Sequence, residues 1–237
     1  LLQGDLGESF YYKTKVTALI GQRLEPTLSL AALTISIAVL VAVPLGVIAA
    51  WRFGGWLDRA LIGFSVLGFS VPVFVLAYIL IWLVSLKLGW LPVQGYRSGD
   101  EGWWPFASHM ILPSVALGTV YMALIARITR ATMLDVLAQD YVRTATAKGL
   151  APRTMLIRHA LKNAAVPIVT VIGIGVALLI GGVVVTETVF AIPGLGRLTV
   201  DAILRRDYPI IQGVTLLFSA VYVLVNLGLF AISSASG

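Results

Sequence analysis

Few residues in this chain have the types and spacing that chemistry needs. There are two histidines and no cysteine, so thiolate metal sites and disulfides are excluded. His109 and His159 fall on different connections, with no metal-ligand spacing between them. No nucleophile–base pair stands out, and no G-x-x-x-x-G-K-[ST] stretch exists to cradle ATP phosphates. Neither a metal nor a cofactor is therefore expected on this chain, and any ATP energy must be supplied by another one. Gly194-Leu195-Gly196 is too short for a dinucleotide fingerprint and reads as a bend. Arg127 and Arg130, three apart at the end of an apolar run, read as the basic flank of a membrane span rather than a voltage sensor. What remains is a cationic strip. Arg158 and Lys162 lie four apart, hence on one side of a helix.

The segment around that strip is expected to form two helices. Met133, Leu137 and Tyr141 recur at i, i+4 and i+8 and mark an apolar stripe on the first. Gly149 interrupts it, and Pro152 suits the first turn of the second. On the second helix Leu150, Thr154, Ile157 and Leu161 share a side. A solvated loop needs no such stripe. The pattern leaves two readings: a hairpin lying on anionic headgroups, or a docking element for a soluble partner.

The elements that position this hairpin are apolar. Hydrophobic residues make up 59% of the 237 and charged ones 12%, and the mean hydropathy is +0.95. Soluble domains carry about twice that share of charge, so lipid is the expected solvent. Five runs are long enough to span it as helices: Thr27–Ala50, Ala60–Leu86, Ser108–Thr129, Ala164–Thr186 and Ile211–Ile232. They contain no Asp, Glu or Lys, as the cost of a charge at the bilayer centre demands. Unbroken apolar runs favour helices over a barrel, so the fold class is an all-α polytopic bundle. The net charge of +6 fits basic loops beside spans, and no basic tract interleaved with aromatics points to nucleic acid.

Within the spans, Pro44, Pro72, Pro113 and Pro167 are candidate kinks. Gly173, Ala177 and Gly181 form a small-residue stripe suited to close helix packing, inside the bundle or at a subunit seam. Trp90, Tyr96, Trp103 and Trp104 suit an interface belt, and His109 reads as an interface residue. Glu187–Ile210, with Pro193, Gly194 and Gly196, reads as a bent segment poor in helix formers. Lys and Arg divide almost evenly between the two sides, so charge alone does not set the orientation.

The stretch DYVRTATAKGLAPRTMLIRHALKNAAVPIVT resembles the EAA loop of binding-protein-dependent ABC permeases, in the variant of the dipeptide, oligopeptide and nickel branch. The general pattern is Glu-Ala-Ala, three residues, Gly, nine residues, Ile, one residue, Leu-Pro. With Gly149 as anchor its places fall on Arg143, Thr144, Ala145, His159, Leu161 and Lys162. Ala145, Gly149 and Leu161 match, while Arg143, Thr144, His159 and Lys162 follow the peptide branch. ILPSVALG at Ile111–Gly118, ARITRATMLDVL at Ala126–Leu137, ETVFAIPGLGRL at Glu187–Leu198 and RRDYPIIQG at Arg205–Gly213 extend the likeness over nearly the whole chain. Members of that family carry a further helix ahead of the equivalent of Gly4 and an acidic, Arg-ending tail. The chain is thus expected to lack the first of six spans and to be truncated or altered at its C-terminus.

The resemblance implies a multi-pass permease of the bacterial inner membrane that conducts di- or oligopeptides. It implies residues 1–26 as an extracytoplasmic segment, 27–232 as the transmembrane domain with a coupling loop at 130–163, and 233–237 as a tail. It implies as partners a second, similar permease subunit, two cytoplasmic ATP-binding subunits that use ATP and Mg, and an extracytoplasmic solute-binding protein. Residues 139–162 would then sit in a groove of the ATPase, with Arg143, Lys148 and Arg158 paired to its acids. Nickel, glutathione or a glycoside are alternative cargoes within the branch. An ion-coupled secondary transporter is the competing class, disfavoured by spans without midplane charge, and a scaffold without transport is disfavoured by the docking loop.

Overall fold

The computed structural model describes residues 6–147, 149–151 and 154–235. Among them the secondary structure is helical apart from an isolated bridge between Glu8 and Lys15. The helices are α1 (Val16–Trp51), α2 (Trp56–Ser70), α3 (Val73–Leu80), α4 (Trp103–Leu137), α5 (Asp140–Ala147), α6 (Leu161–Val189), α7 (Leu195–Arg205) and α8 (Tyr208–Ala235). Wider, π-type turns extend α3 over Ile81–Lys87 and lead into α6 over Met155–Ala160. Among the described residues four helices are long and apolar enough to cross a membrane, which makes five spans if α2 and the extended α3 count as one broken span.

The elements depart from the sequence pattern in three places. First, α1 starts at Val16 instead of Thr27, so residues 16–26 are helical; its 36 residues reach about 54 Å, well beyond the ~30 Å hydrocarbon core. Second, only one of the four prolines breaks its helix. Val71 is extended, as a residue before proline prefers, and Pro72 has φ −58° and ψ 140°. Pro44, Pro113 and Pro167 lie inside continuous helices. Third, the segment after Glu187 is bent only briefly, because Leu195–Arg205 is regular helix.

Backbone contacts divide the chain into two compact units. Unit one comprises residues 1–34, 72–117 and 176–227. Its core is Val16, Leu19, Leu195, Leu198, Ala202, Ile210 and Val214. Gly213 lets α8 approach Val16 closely: a Cβ there would stand 2.8 Å from the Val16 Cγ1. The connection after α3 is tied down within this unit. Tyr96 and Ser98 donate to Glu25 at 2.8 and 2.9 Å, and the Gly95 amide donates to the Phe190 carbonyl at 2.9 Å. Burial and the neighbouring Glu25 push the Tyr96 phenol up to about 12.

Unit two comprises 35–71, 118–175 and 228–237. Its core joins Ala50 of α1, Met133 and Val136 of α4, and Leu156, Ala160, Ala164 and Ile168. Close packing here is made by Gly46 and Gly68. A Cβ on Gly46 would lie 2.7 Å from the Ala126 carbonyl, and one on Gly68 would lie 2.9 Å from the Ala123 Cβ. In lipid, such close backbone approach supplies the dispersion that apolar burial supplies in water. Asp58 and Arg130 form a bidentate pair, with Arg130 Nη2 at 2.9 Å from Oδ2, and the Gly54 amide donates to the same carboxylate at 2.9 Å. The pair pins the connection between α1 and α2 to the end of α4.

Candidate functional site

In the expected hairpin, the first helix is cut in two. α4 ends at Leu137 and α5 starts at Asp140, so Met133 and Leu137 lie on one helix and Tyr141 on the next. Met133 is fully buried, Leu137 half-buried and Tyr141 exposed. The Thr144 hydroxyl donates back to the Asp140 carbonyl at 3.0 Å, a local bond within α5. Gly149 has φ +83° with open space where a Cβ would be. The turn therefore needs glycine for its backbone angle, and no described residue crowds the position.

The second helix presents a different face from the one its periodicity predicts. Leu150 precedes the helix, and the wide turns over Met155–Ala160 shift the register. Met155 and Leu156 are buried, and Leu156, Ala160, Ala164 and Ile168 face the unit-two core at four-residue spacing. Thr154 is exposed, Leu161 only half-buried, and Ile157 points outward with 65% of its surface exposed. Arg158, His159 and Lys162 are exposed around it. The two arms are joined, since the Asn163 amide donates to the Tyr141 hydroxyl at 2.7 Å. A short amphipathic helix is thus fixed to the start of a long apolar one, with an apolar side chain and three basic or imidazole groups facing outward. That arrangement can dock a protein and pass its movement to the bundle.

A second constellation lies in unit one. Glu187, completely buried, accepts the Thr27 hydroxyl at 2.6 Å and the Arg197 amide at 3.0 Å. Thr27 in turn accepts the Leu195 amide at 2.8 Å. Those amides open α7, so a carboxylate from α6 and a hydroxyl from α1 satisfy the start of a third helix. The glycines follow from this. A Cβ on Gly194 would overlap the Glu187 carboxylate, and one on Gly196 would stand 2.6 Å from the Val184 Cα. Pro193 is exposed beside them.

The family model for "Binding-protein-dependent transport system inner membrane component" matches residues 42–235. The chain belongs to this family. Among its relatives is a protein named as a probable peptide ABC transporter permease, y4tP, of Sinorhizobium fredii, 58% identical over 96% of this chain and 72% of that protein. The glutathione transport permease GsiC of Pectobacterium atrosepticum is 44% identical over 96% and 72%. The dipeptide transport permease DppB of Escherichia coli K12 is 40% identical over 96% and 74%. A solved structure of the inward-facing MetNI methionine ABC transporter superposes with a TM-score of 0.77 at 18% identity, covering 93% of this chain and 97% of that one. That likeness shows the fold.

For this permease subunit of the inner membrane, the structure unites some of the residues singled out in the sequence and separates others. Glu187, Gly194 and Gly196 meet in one cluster. Gly149, Arg158, His159, Leu161 and Lys162 fall on one hairpin. Lys148 lies outside the described residues, and of Arg143 and Ala145 only the helical backbone is described. The stripe of Gly173, Ala177 and Gly181 does not act as one packing surface within the chain: Ala177 is buried, but Gly181 is exposed and faces open space. At Gly175, off the stripe, an added Cβ would stand 3.4 Å from the Tyr121 Cδ1. His109 is bonded locally, its Nδ1 2.8 Å from the Pro105 carbonyl. The sequence reading missed Thr27 and Asn163. Thr27 has Glu25 and Ser29 two positions away and Asn163 follows Lys162, so neither stands out from its sequence neighbours as a partner for a bond between helices.

Proposed function

We infer that this chain is the translocating subunit for di- and oligopeptides in an ATP-driven importer, with a second, similar permease subunit beside it. ATP and Mg are used by a separate cytoplasmic ATPase, and this chain binds no cofactor of its own. The cargo reading rests on relatives named for peptide, dipeptide and glutathione transport; glutathione is itself a small peptide, so the names agree on chemical class. The observation that carries the coupling reading is the hairpin with its outward Ile157 and the Asn163–Tyr141 bond to the long helix. Arg143, Lys148, Arg158 and Lys162 supply cations toward acids on the ATPase, and an extracytoplasmic binding protein delivers the peptide to the opposite face.

The test is reconstitution in vesicles with the partner permease, the ATPase and the binding protein. Uptake of a labelled dipeptide should require ATP inside and the binding protein outside. Uptake that persists without the ATPase and follows a proton or sodium gradient would show a secondary transporter. Uptake of nickel with no uptake of dipeptide or glutathione would overturn the cargo.

A further inference from the structure

We propose that a groove between α2 and α4 in the second unit binds an acidic phospholipid of the cytoplasmic leaflet, with the phosphate held by Arg127 and the free edge of Arg130. The groove has a volume of about 200 Å³ and is walled by Ile62, Ser65, Val66, Phe69, Arg127 and Arg130. Ile62, Val66 and Phe69 recur at helical spacing and stay 47%, 60% and 46% exposed, a hydrocarbon wall. Opposite them stand two guanidinium groups in different states. Arg130 gives Nε and Nη2 to Asp58, which leaves Nη1 uncommitted among the described residues. Arg127 lies with its Cζ 5.2 Å from the Phe69 ring centre and makes no ion pair among the described residues. Arg59 also acts electrostatically on Asp58. Asp58 is thus matched by Arg130 and Arg59, and Arg127, on the groove wall with no acidic partner among the described residues, gives the groove a positive excess.

Its depth is set by its neighbours. Trp51, Phe53 and Trp56, 51%, 68% and 74% exposed, stand with Arg52 and Arg59 at the head of α2, the aromatic and basic rim of a membrane–water boundary. The groove lies along α2 from Leu61 to Phe69, on the stretch of helix that follows that rim in the chain. A guanidinium there is costly unless an anion or water meets it, and basic pockets between spans on the cytoplasmic side are suited to lipid phosphate. A peptide fits less well. Its amides need donors and acceptors, yet Ser65, the neutral polar side chain of the wall, already donates to the Ala123 carbonyl at 3.4 Å. Its ammonium needs an acid, and Asp58 is taken.

The test uses the purified full-length chain in its transporter complex, with phosphatidylglycerol vesicles, phosphatidylcholine vesicles and inorganic phosphate as probes. Phosphatidylglycerol should raise the unfolding temperature of the wild type and remain bound through purification, as native mass spectrometry would show. Arg127→Gln should lose both effects, and Arg127→Lys should keep part of them. Equal stabilisation by phosphatidylcholine, full reproduction of the effect by inorganic phosphate, or protection by a dipeptide in place of lipid would each overturn the proposal. If Arg127→Gln does not accumulate, the wild type alone decides: no difference between the two vesicle types refutes the site.

Discussion

The Thr27 hydroxyl donates to the Glu187 carboxylate across 2.6 Å, although 160 positions separate the two residues. Around this bond α1, α6 and α7 meet, and the Gly194 backbone passes so close that any side chain would displace the carboxylate. Gly194→Ala should therefore be much worse than its single methyl suggests, because it leaves a buried carboxylate and the α7 amides without their partners. Thr27→Val keeps the shape and removes both the donor to Glu187 and the acceptor of the Leu195 amide, at a cost of about 1–3 kcal/mol. Thermal unfolding in detergent should rank Gly194→Ala below Thr27→Val and both below wild type. Equal stability of Gly194→Ala and wild type would contradict the cluster.

Tyr96 gives a pH dependence whose sign is fixed. Its pKa in the fold is raised from 10.0 to about 12, so its contribution to stability is complete below pH 10 and fades as pH rises toward 12. At pH 10 an ordinary tyrosine is half ionised, whereas Tyr96 should remain a phenol donating to Glu25. Phenolate absorbance of wild type minus Tyr96→Phe should show a tyrosine that titrates above the rest. A difference curve centred at pH 10 would show that Tyr96 is neither buried nor bonded to Glu25 as described.

The glycines separate intrachain packing from assembly. Gly68→Val drives a side chain into Ala123, and the protein should fail to accumulate, since overpacking of this kind typically costs ~1–3 kcal/mol or more. Gly181→Val meets open space within the chain and should fold normally. If the Gly173, Ala177 and Gly181 stripe is a seam, the same substitution should weaken association with the second permease subunit, measured by blue-native electrophoresis. Normal assembly of Gly181→Val would show that the seam lies elsewhere.

The spans were legible because lipid imposes one rule, unbroken apolar length, and each expected run lies within a helix or, for Ala60–Leu86, within a broken pair. What the rule does not contain is where a proline acts. Pro72 breaks its helix and Pro113 does not, a choice made by tertiary packing and invisible to composition. The register of the hairpin was misjudged for a related reason. Periodicity counted from Leu150 assumes regular α-helix, but the chain is not yet helical there, and the turns that follow are wide. Burial accordingly moves to Leu156 and Ala160 and leaves Ile157 outside. The Thr27–Glu187 bond was hidden by sequence distance, even though Glu187 and the glycines near it were already grouped.

Ile157 then becomes the side chain to change. It is 65% exposed and packs on nothing needed for the core, so Ile157→Asp should insert and fold as wild type does. If the hairpin docks the ATPase, a carboxylate there places charge in an apolar contact, and co-purification of the ATPase should fall by at least about tenfold, the equivalent of ~1.4 kcal/mol. Retained co-purification would place the contact on another face.

Gly149 decides whether the hairpin couples hydrolysis to transport. Its φ of +83° lies in the region where a β-branched residue is strained by about 1–2 kcal/mol or more. Because a Cβ would meet nothing within 4 Å among the described residues, the expected effect comes from the backbone angle. Two substitutions separate the cases. Gly149→Val should disturb the turn, whereas Gly149→Asn, which visits the left-handed region more readily, should retain much of the function. Both should insert normally, since the apolar spans are untouched. The measurements are peptide uptake, ATPase association and hydrolysis rate in the reconstituted complex. Loss of uptake in Gly149→Val with hydrolysis continuing, partly restored in Gly149→Asn, identifies the turn as part of the coupling element. Wild-type uptake in Gly149→Val, with normal hydrolysis, would instead favour a hairpin resting on the headgroups.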